Sequence, residues 1–183
     1  MIAVPHYVSP NEYLAIDRDS TVRHEYRRGL VYAMAGGSTA HARIAVNLVS
    51  LLNPRLRGTP CRLYNGDVKV NYQDQFYYYP DASVSCDPRD RQDPMVQRHS
   101  KLICEVLSDS TAAFDRGEKF LDYQKLESLE EYVLISQDTQ QVECRRRQAD
   151  GRWETQVYRA GDRVVLASLD FEFDLGELYV DID

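Results

Sequence analysis

The chain has 183 residues, 43% of them apolar and 28% charged, with a formal net charge of −7. That length suits one domain with a full core, and the composition excludes a disordered or fibrous chain. No apolar run approaches a membrane span, and MIAVPHYVSPNEY lacks the basic-then-apolar order of a secretory signal, so a cytoplasmic protein is expected. Six of the 29 acidic residues fall within 170–183, where there is no Lys or Arg. The acidity is therefore largely a property of one end, and a nucleic-acid face elsewhere is permitted.

Ser9-Pro10, with Glu12 three residues after the serine, predicts a short helix over 9–17. Residues 23–36 predict a hairpin turning near Arg28-Gly29, with Glu25 on its first strand and Tyr32 or Met34 on its second. Ser38 or Thr39 caps the next helix, in which Ile44, Leu48, Leu51 and Leu52 form one stripe and Asn53-Pro54 marks the end. Residues 61–72 predict a strand bulged at Gly66, and 75–86 a second strand with Pro80 at a bend. The charged, proline-punctuated stretch 87–99 predicts an exposed loop.

KLICEVLS, 101–108, is a nearly continuous apolar run and predicts a central strand buried on both faces. A helix over 108–126 follows, with Gly117 a weak point in it, then a strand over 130–137. A hairpin turns across Asp150-Gly151 within 140–161. A further strand and a tail occupy 162–182, the tail docking either on its own core or on a partner. The order predicts an α/β (α+β) fold, a mixed central sheet flanked by helices, with hairpins added at both ends. A single domain fills 1–183, its core spanning about 38–137.

Cys61, Cys86, Cys104 and Cys144 form no CxxC pair, so neither a disulfide staple nor a zinc site is expected. Glu105 stands out inside LICEVL, because a carboxylate in a buried strand needs a partner. That partner is a metal ion or a basic side chain such as Lys119, unless Glu105 faces water at an edge. Alternation puts Ile103, Glu105 and Leu107 on one face and Leu102, Cys104 and Val106 on the other. Asp115, Lys119 and Tyr123 follow at four-residue spacing on the next helix, either converging on Glu105 or forming an ordinary surface pair. RRR at 145–147 reads as a solvated face sooner than a phosphate-binding run, and FYYY at 76–79 as packing sooner than a stacking surface.

Residues 79–123 and their context resemble the Uma2 family (DUF820), restriction-endonuclease-like proteins of the PD-(D/E)XK nuclease superfamily. The resemblance rests on Tyr79-Pro80-Asp81, Glu105-Val106-Leu107-Ser108, Ser110-Thr111, Asp115, Lys119 and Tyr123, in that order. Upstream it includes Arg23-His24-Glu25-Tyr26, Gly29, His41, Asn47 and Asp67; downstream it runs through Glu131-Tyr132-Val133 to Leu178-Tyr179. The superfamily's usual lysine lies two residues after the glutamate, where this chain has Leu107. In the resembled family the lysine has moved to the following helix, the place of Lys119.

The resemblance implies Asp81, Glu105 and the Val106 carbonyl as ligands of Mg²⁺ or Mn²⁺, with Lys119 orienting a metal-activated water that hydrolyses DNA. Glu25 is a second-metal ligand or a strand residue paired with Arg23 or Arg27. His41 contacts phosphate or caps its helix, Asp67 joins the acidic cluster or holds a turn, and Tyr123 bonds Glu105 or packs. The rival reading is an inactive nuclease-fold module that binds nucleic acid or a protein. DNA is the expected partner, membrane is not, and two-fold symmetry of double-strand cutters suggests a homodimer.

Overall fold

The computed structural model describes residues 7–34 and 36–182. Helix α1 (Pro10–Asp19) begins with a capping box in which Ser9 and Glu12 satisfy each other's backbone N–H groups. Strands β1 (His24–Arg27) and β2 (Leu30–Ala33) form the expected hairpin, with Arg28 and Gly29 at φ 47° and 91°. Both turn residues are left-handed, the conformation that lets a two-residue loop follow the strand twist.

Helix α2 (Thr39–Leu56) is capped by Ser38 and buries Ile44, Leu48, Leu52 and Leu56. It runs through Pro54 instead of ending there. The proline sits in the last turn, where its missing N–H removes one bond and little helix remains to be disturbed.

The two long strands expected over 61–72 and 75–86 are each divided. β3 (Arg62–Asn65) and β4 (Lys69–Tyr72) are separated by a turn at Asn65–Val68, and β5 (Phe76–Tyr78) and β6 (Ala82–Ser85) by the bend at Pro80. After β7 (Val96–Gln97) come β8 (Ser100–Leu107) and the helical run 112–123, here α3. Strands β9 (Glu131–Ser136), β10 (Gln141–Arg147), β11 (Trp153–Arg159), β12 (Arg163–Leu166) and β13 (Phe171–Asp174) complete the chain.

One sheet has the order β11-β10-β9-β8-β6-β3 and a second β2-β1-β5-β4-β7; β12 and β13 pair separately. Two of the chain's crossings between the large sheets lie near Gly66 and at Pro80, and a Cβ on Gly66 would lie 3.7 Å from the Pro80 carbonyl. Asp81 is the first residue past the Pro80 crossing. β8 runs antiparallel to β6 and parallel to β9, which makes the sheet mixed.

β8 is the wall between two cores. Leu102, Cys104 and Val106 pack with α2, β12, β13 and the 3₁₀ tail Leu175–Tyr179. Ile103 and Leu107 pack with Phe76, Tyr78, Tyr123 and Tyr132 beneath α3 and the second sheet. Each such side chain contributes about 1.5–3 kcal/mol on burial. The tail docks on its own core, held by Asn47 Nδ2 donating to the Leu178 and Val180 carbonyls.

One expectation is refined and one corrected. The stretch 87–99 is largely exposed, as expected, but it contains a 3₁₀ turn (Pro88–Arg91) and β7, and buried Asp90 accepts the backbone N–H groups of Arg98 and His99, which fixes it from inside. Cys61 and Cys86 form a disulfide, because the β3–β6 register pairs Arg62 with Ser85 and makes the cysteines the next rung. Spacing in sequence carries no trace of that rung. Cys104 and Cys144 are free and buried. Among the described residues no helix is long and apolar enough to cross a membrane.

Candidate active site

Asp81 and Glu105 meet through strand register. Ala82 pairs with Cys104, so one step further brings Asp81 beside Glu105, and Asp81 Oδ2 accepts the Val106 N–H at 2.7 Å. Glu105 lies on the Ile103–Leu107 face of β8 and is buried. Tyr123 Oη donates to its Oε1 at 3.2 Å, and Lys119 Nζ lies 2.9 Å from the same oxygen.

The helix that delivers Lys119 is irregular. α-Helical Ala112–Phe114 and Phe120–Tyr123 flank a π-helical turn, Asp115–Lys119. In an α-helix every four-residue step overshoots a full turn by about 40°, so Asp115 and Tyr123 would drift about 80° apart. The wider π turn takes back part of that drift. Asp115, Lys119 and Tyr123 are accordingly all buried on the side facing Glu105. A π turn disturbs the backbone ladder, and two of its carbonyls find side-chain donors. Tyr132 Oη donates to the Asp115 carbonyl at 3.0 Å and Arg145 Nη1 to that of Arg116 at 2.7 Å.

Lys119 Nζ is held by three carboxylates, at 2.9 Å from Glu105, 3.3 Å from Glu25 and 3.5 Å from Asp115. Glu25 Oε1 also accepts the Tyr79 N–H at 2.9 Å, tying β1 to the bend before Asp81. His41, at the start of α2, places Nε2 3.3 Å from Asp81 Oδ2. A groove of ≈ 390 Å³ lined by His41, Val46, Asn65, Gly66 and Asp81 opens alongside.

The electrostatics follow from surplus negative charge. Burial, with Asp115, Asp81 and Glu25 nearby, pushes the Glu105 carboxyl well above the usual range despite Lys119. Burial opposes the Lys119 charge, but Glu105 and Glu25 outweigh it and hold the ammonium more firmly protonated. The hydrogen bond to Asp81 raises His41 against its desolvation, helped by one to the Val106 carbonyl. All three groups retain protons more strongly, as members of an under-neutralised acidic cluster do.

Among the residues expected from sequence, Asp81, Glu105, Lys119, Glu25, Asp115, Tyr123 and His41 come together. Asp67 does not: it is exposed, pairs with Arg23 and accepts from Asn65 Nδ2, and so holds the turn between β3 and β4. The RRR run is neither a solvated face nor a phosphate-binding one. Arg145 serves the π turn, Arg146 pairs with buried Glu131, and Arg147 donates to the Glu127 and Gln124 carbonyls. Phe76, Tyr77, Tyr78 and Tyr79 are buried.

Sequence reasoning missed Asp122. Its carboxylate binds Arg27 Nε at 2.7 Å, Arg28 at 2.8 Å, Lys125 at 2.8 Å and Tyr78 Oη at 2.9 Å. This network locks α3 to β1, three residues from Lys119 and two from Glu25. The available signal was an acidic residue between buried Lys119 and Tyr123 on the same short helix.

The donor set fits a hard divalent cation in part. Among the described residues no three His, Cys, Asp or Glu side chains form a ready-made cage. Mg²⁺ ordinarily takes one or two carboxylates and keeps waters or substrate oxygens. Glu105 spends only Oε1 on Lys119 and Tyr123, and Asp81 only Oδ2 on Val106 and His41, so each retains an oxygen. The surplus negative charge gives those oxygens reason to bind a cation.

The chain is similar to known proteins over most of its length. The family model Uma2, described as "Putative restriction endonuclease", matches residues 10–180. The chain is 39% identical over 173 residues to "Uncharacterized protein slr1290" of Synechocystis sp., covering 94% of this chain and 91% of that one. It is 30% identical over 156 residues to "Uncharacterized protein sll1609" of the same organism, covering 84% and 88%. A crystal structure of "a putative nuclease belonging to DUF820" from Anabaena variabilis superposes with a TM-score of 0.79 over 94% of this chain and 97% of that one. At 19% identity that likeness establishes the shared fold.

Proposed function

The chain belongs to the Uma2 family, and from that premise we propose that it is a divalent-metal-dependent nuclease hydrolysing phosphodiester bonds in DNA. The observation that carries the reading is Lys119. Its ammonium turns inward to Glu105 at 2.9 Å from a helix, supplying the charge that Leu107 cannot supply from the strand.

Asp81 and Glu105 are the side chains that would hold Mg²⁺ or Mn²⁺. The Val106 carbonyl would join them if His41 releases it, and Glu25 stands behind Lys119. When bound, the ion supplies Lewis-acid polarisation of the scissile phosphate and a water of lowered pKa. Lys119, with the hydrogen bond it now shares with Asp115 released, would donate that third hydrogen bond to the attacking water or to a phosphate oxygen, stabilising charge as it develops. Glu105 and Glu25 keep the ammonium aimed, and Tyr123 fixes the Glu105 carboxylate. His41 orients Asp81 and, when protonated, can donate to a phosphate in the groove.

The test is cleavage of labelled DNA with Mn²⁺ or Mg²⁺, its arrest by chelator, and its loss in Lys119→Ala. An absence of metal-dependent cleavage on duplex, single-stranded and structured DNA would leave the binding-module reading in its place.

A further inference from the structure

We propose that Tyr32 is a stacking platform for an unpaired nucleobase next to the phosphate that Lys119 faces. The substrate class is then single-stranded or locally unpaired nucleic acid. The inference rests on the nuclease reading of the same site and specifies its substrate.

The placement comes from register. Tyr32 pairs directly with Glu25 across β1 and β2, so the two side chains leave the sheet on the same face. Paired side chains on one face lie about 4.5–5.5 Å apart at Cβ. Glu25 is in the site, 3.3 Å from Lys119 Nζ. Leu30, one step along that face and opposite Arg27, extends the surface.

The strip is uncovered. β2 is the edge strand of its sheet, and Tyr32 and Leu30 are 47% and 38% exposed. Among the described residues no hydrogen bond or ring contact engages the Tyr32 side chain. The other exposed aromatic, Tyr7, lies over Gly29 at the hairpin tip. An edge strand that carries a bare aromatic and a bare leucine is an aggregation liability. Contact with a ligand gives that liability a use.

Charge identifies the ligand. Duplex binding rests on neutralising phosphates with free cations. Of the arginines near the site, Arg27 and Arg28 pair with Asp122, Arg23 with Asp67 and Arg116 with Glu143. Base stacking needs no cation and tolerates any sequence, but it needs a base face that a duplex keeps hidden.

The experiment uses the full chain with short labelled single-stranded DNA, single-stranded RNA and matched duplexes. Binding is measured by fluorescence anisotropy in Ca²⁺, with the strands checked for integrity afterwards. Wild type should bind single strands more tightly than duplex. Tyr32→Ala should lose about 5- to 150-fold on single strands, the range for removing one stacked base, while Tyr32→Phe stays close to wild type. An abasic residue scanned along the strand should weaken wild type at one position and have no further effect there in Tyr32→Ala. Equal single-strand binding by wild type and Tyr32→Ala overturns the proposal, as does an equal loss on duplex or no binding by wild type. Mn²⁺-dependent cleavage separates the two readings. Equal cleavage by wild type and Tyr32→Ala removes the stacking role and leaves the nuclease standing. Tyr32-dependent binding without cleavage in any metal does the reverse.

Discussion

Lys119 Nζ lies 2.9 Å from Glu105 Oε1, reaching it from α3 and not from the strand that carries the glutamate. The ammonium is buried and shared with Glu25 and Asp115, so its removal acts on stability as well as on chemistry. Lys119→Ala should reduce DNA cleavage by at least the roughly 10²-fold expected for a charge-stabilising group. It should also destabilise the fold by about 3–5 kcal/mol, because three carboxylates lose their shared cation. Lys101→Ala is the control, its ammonium pairing with Glu130 away from the site. Wild-type cleavage by Lys119→Ala would refute the assignment, and an unchanged melting temperature would refute the burial argument.

Glu105 supplies the metal test. Its pKa is raised by burial and neighbouring carboxylates, so the protonated form is favoured in the folded state. A carboxyl whose folded pKa exceeds its unfolded one, about 4.3, favours folding at low pH and loses that advantage as pH rises through the folded value. At neutral pH Glu105→Gln should therefore melt at or above the wild-type temperature in chelator. Saturating Mg²⁺ or Mn²⁺ should raise the melting temperature of wild type by mass action and leave Glu105→Gln unmoved. Equal shifts in the two proteins would place the ion elsewhere.

How much of this was legible in the sequence differs by element. The β8 alternation was, because only a strand buried on both faces strings together LICEVL, and it set Glu105 on the correct side. The Arg28-Gly29 hairpin was, because a glycine between two short strand-like runs marks a turn. The division of 61–72 and 75–86 between two sheets was not, since alternation reports burial and not which sheet a strand joins. Asp122 and Arg27 are 95 residues apart, and nothing local marks them as partners. The π turn was hidden because four-residue spacing looks the same whether or not the helix corrects its drift.

The Asp122 network predicts the acid limb of stability. Burial works against the Asp122 charge, but Lys125, Arg27 and Tyr78 outweigh it and hold the pKa below the usual range. A depressed carboxylate stabilises the fold fully above its unfolded pKa, about 3.9, and loses that contribution as pH falls toward the folded value. Urea unfolding should therefore show wild type losing stability below about pH 4 more steeply than Asp122→Asn. Parallel curves would mean that the network contributes no pH-dependent stability.

The Cys61–Cys86 bridge closes a stretch with a sequence separation of 25, which on loop-closure grounds is worth about 3.5 kcal/mol. Reduction, or Cys61→Ser with Cys86→Ser, should lower the melting temperature by roughly 7–14 °C for a chain of this size. Cleavage at a temperature where both forms stay folded should be unchanged, because the cysteines lie at the far end of β6 from Asp81. An identical melt for oxidised and reduced protein would show that the bridge contributes nothing.

Gly117 tests what maintains the π turn. A Cβ built on it meets nothing within 4 Å, so no neighbour demands a glycine there. Its φ is not in the left-handed range, so the backbone does not demand one either. If Tyr132, Arg145 and the Asp122 network hold the π turn from outside, Gly117→Ala should remove a weak helix former without altering the geometry. The expected result is a gain of about 0.5–1 kcal/mol in urea unfolding, with cleavage unchanged. Deleting Gly117 should instead return the turn to α-helical register and swing Asp115 away from Lys119, which stays locked to β1 through Asp122. That deletion should lower stability and cleavage together. A Gly117→Ala protein that loses both would show that the turn depends on the glycine's backbone freedom, and that the external bonds do not suffice to keep Lys119 over Glu105.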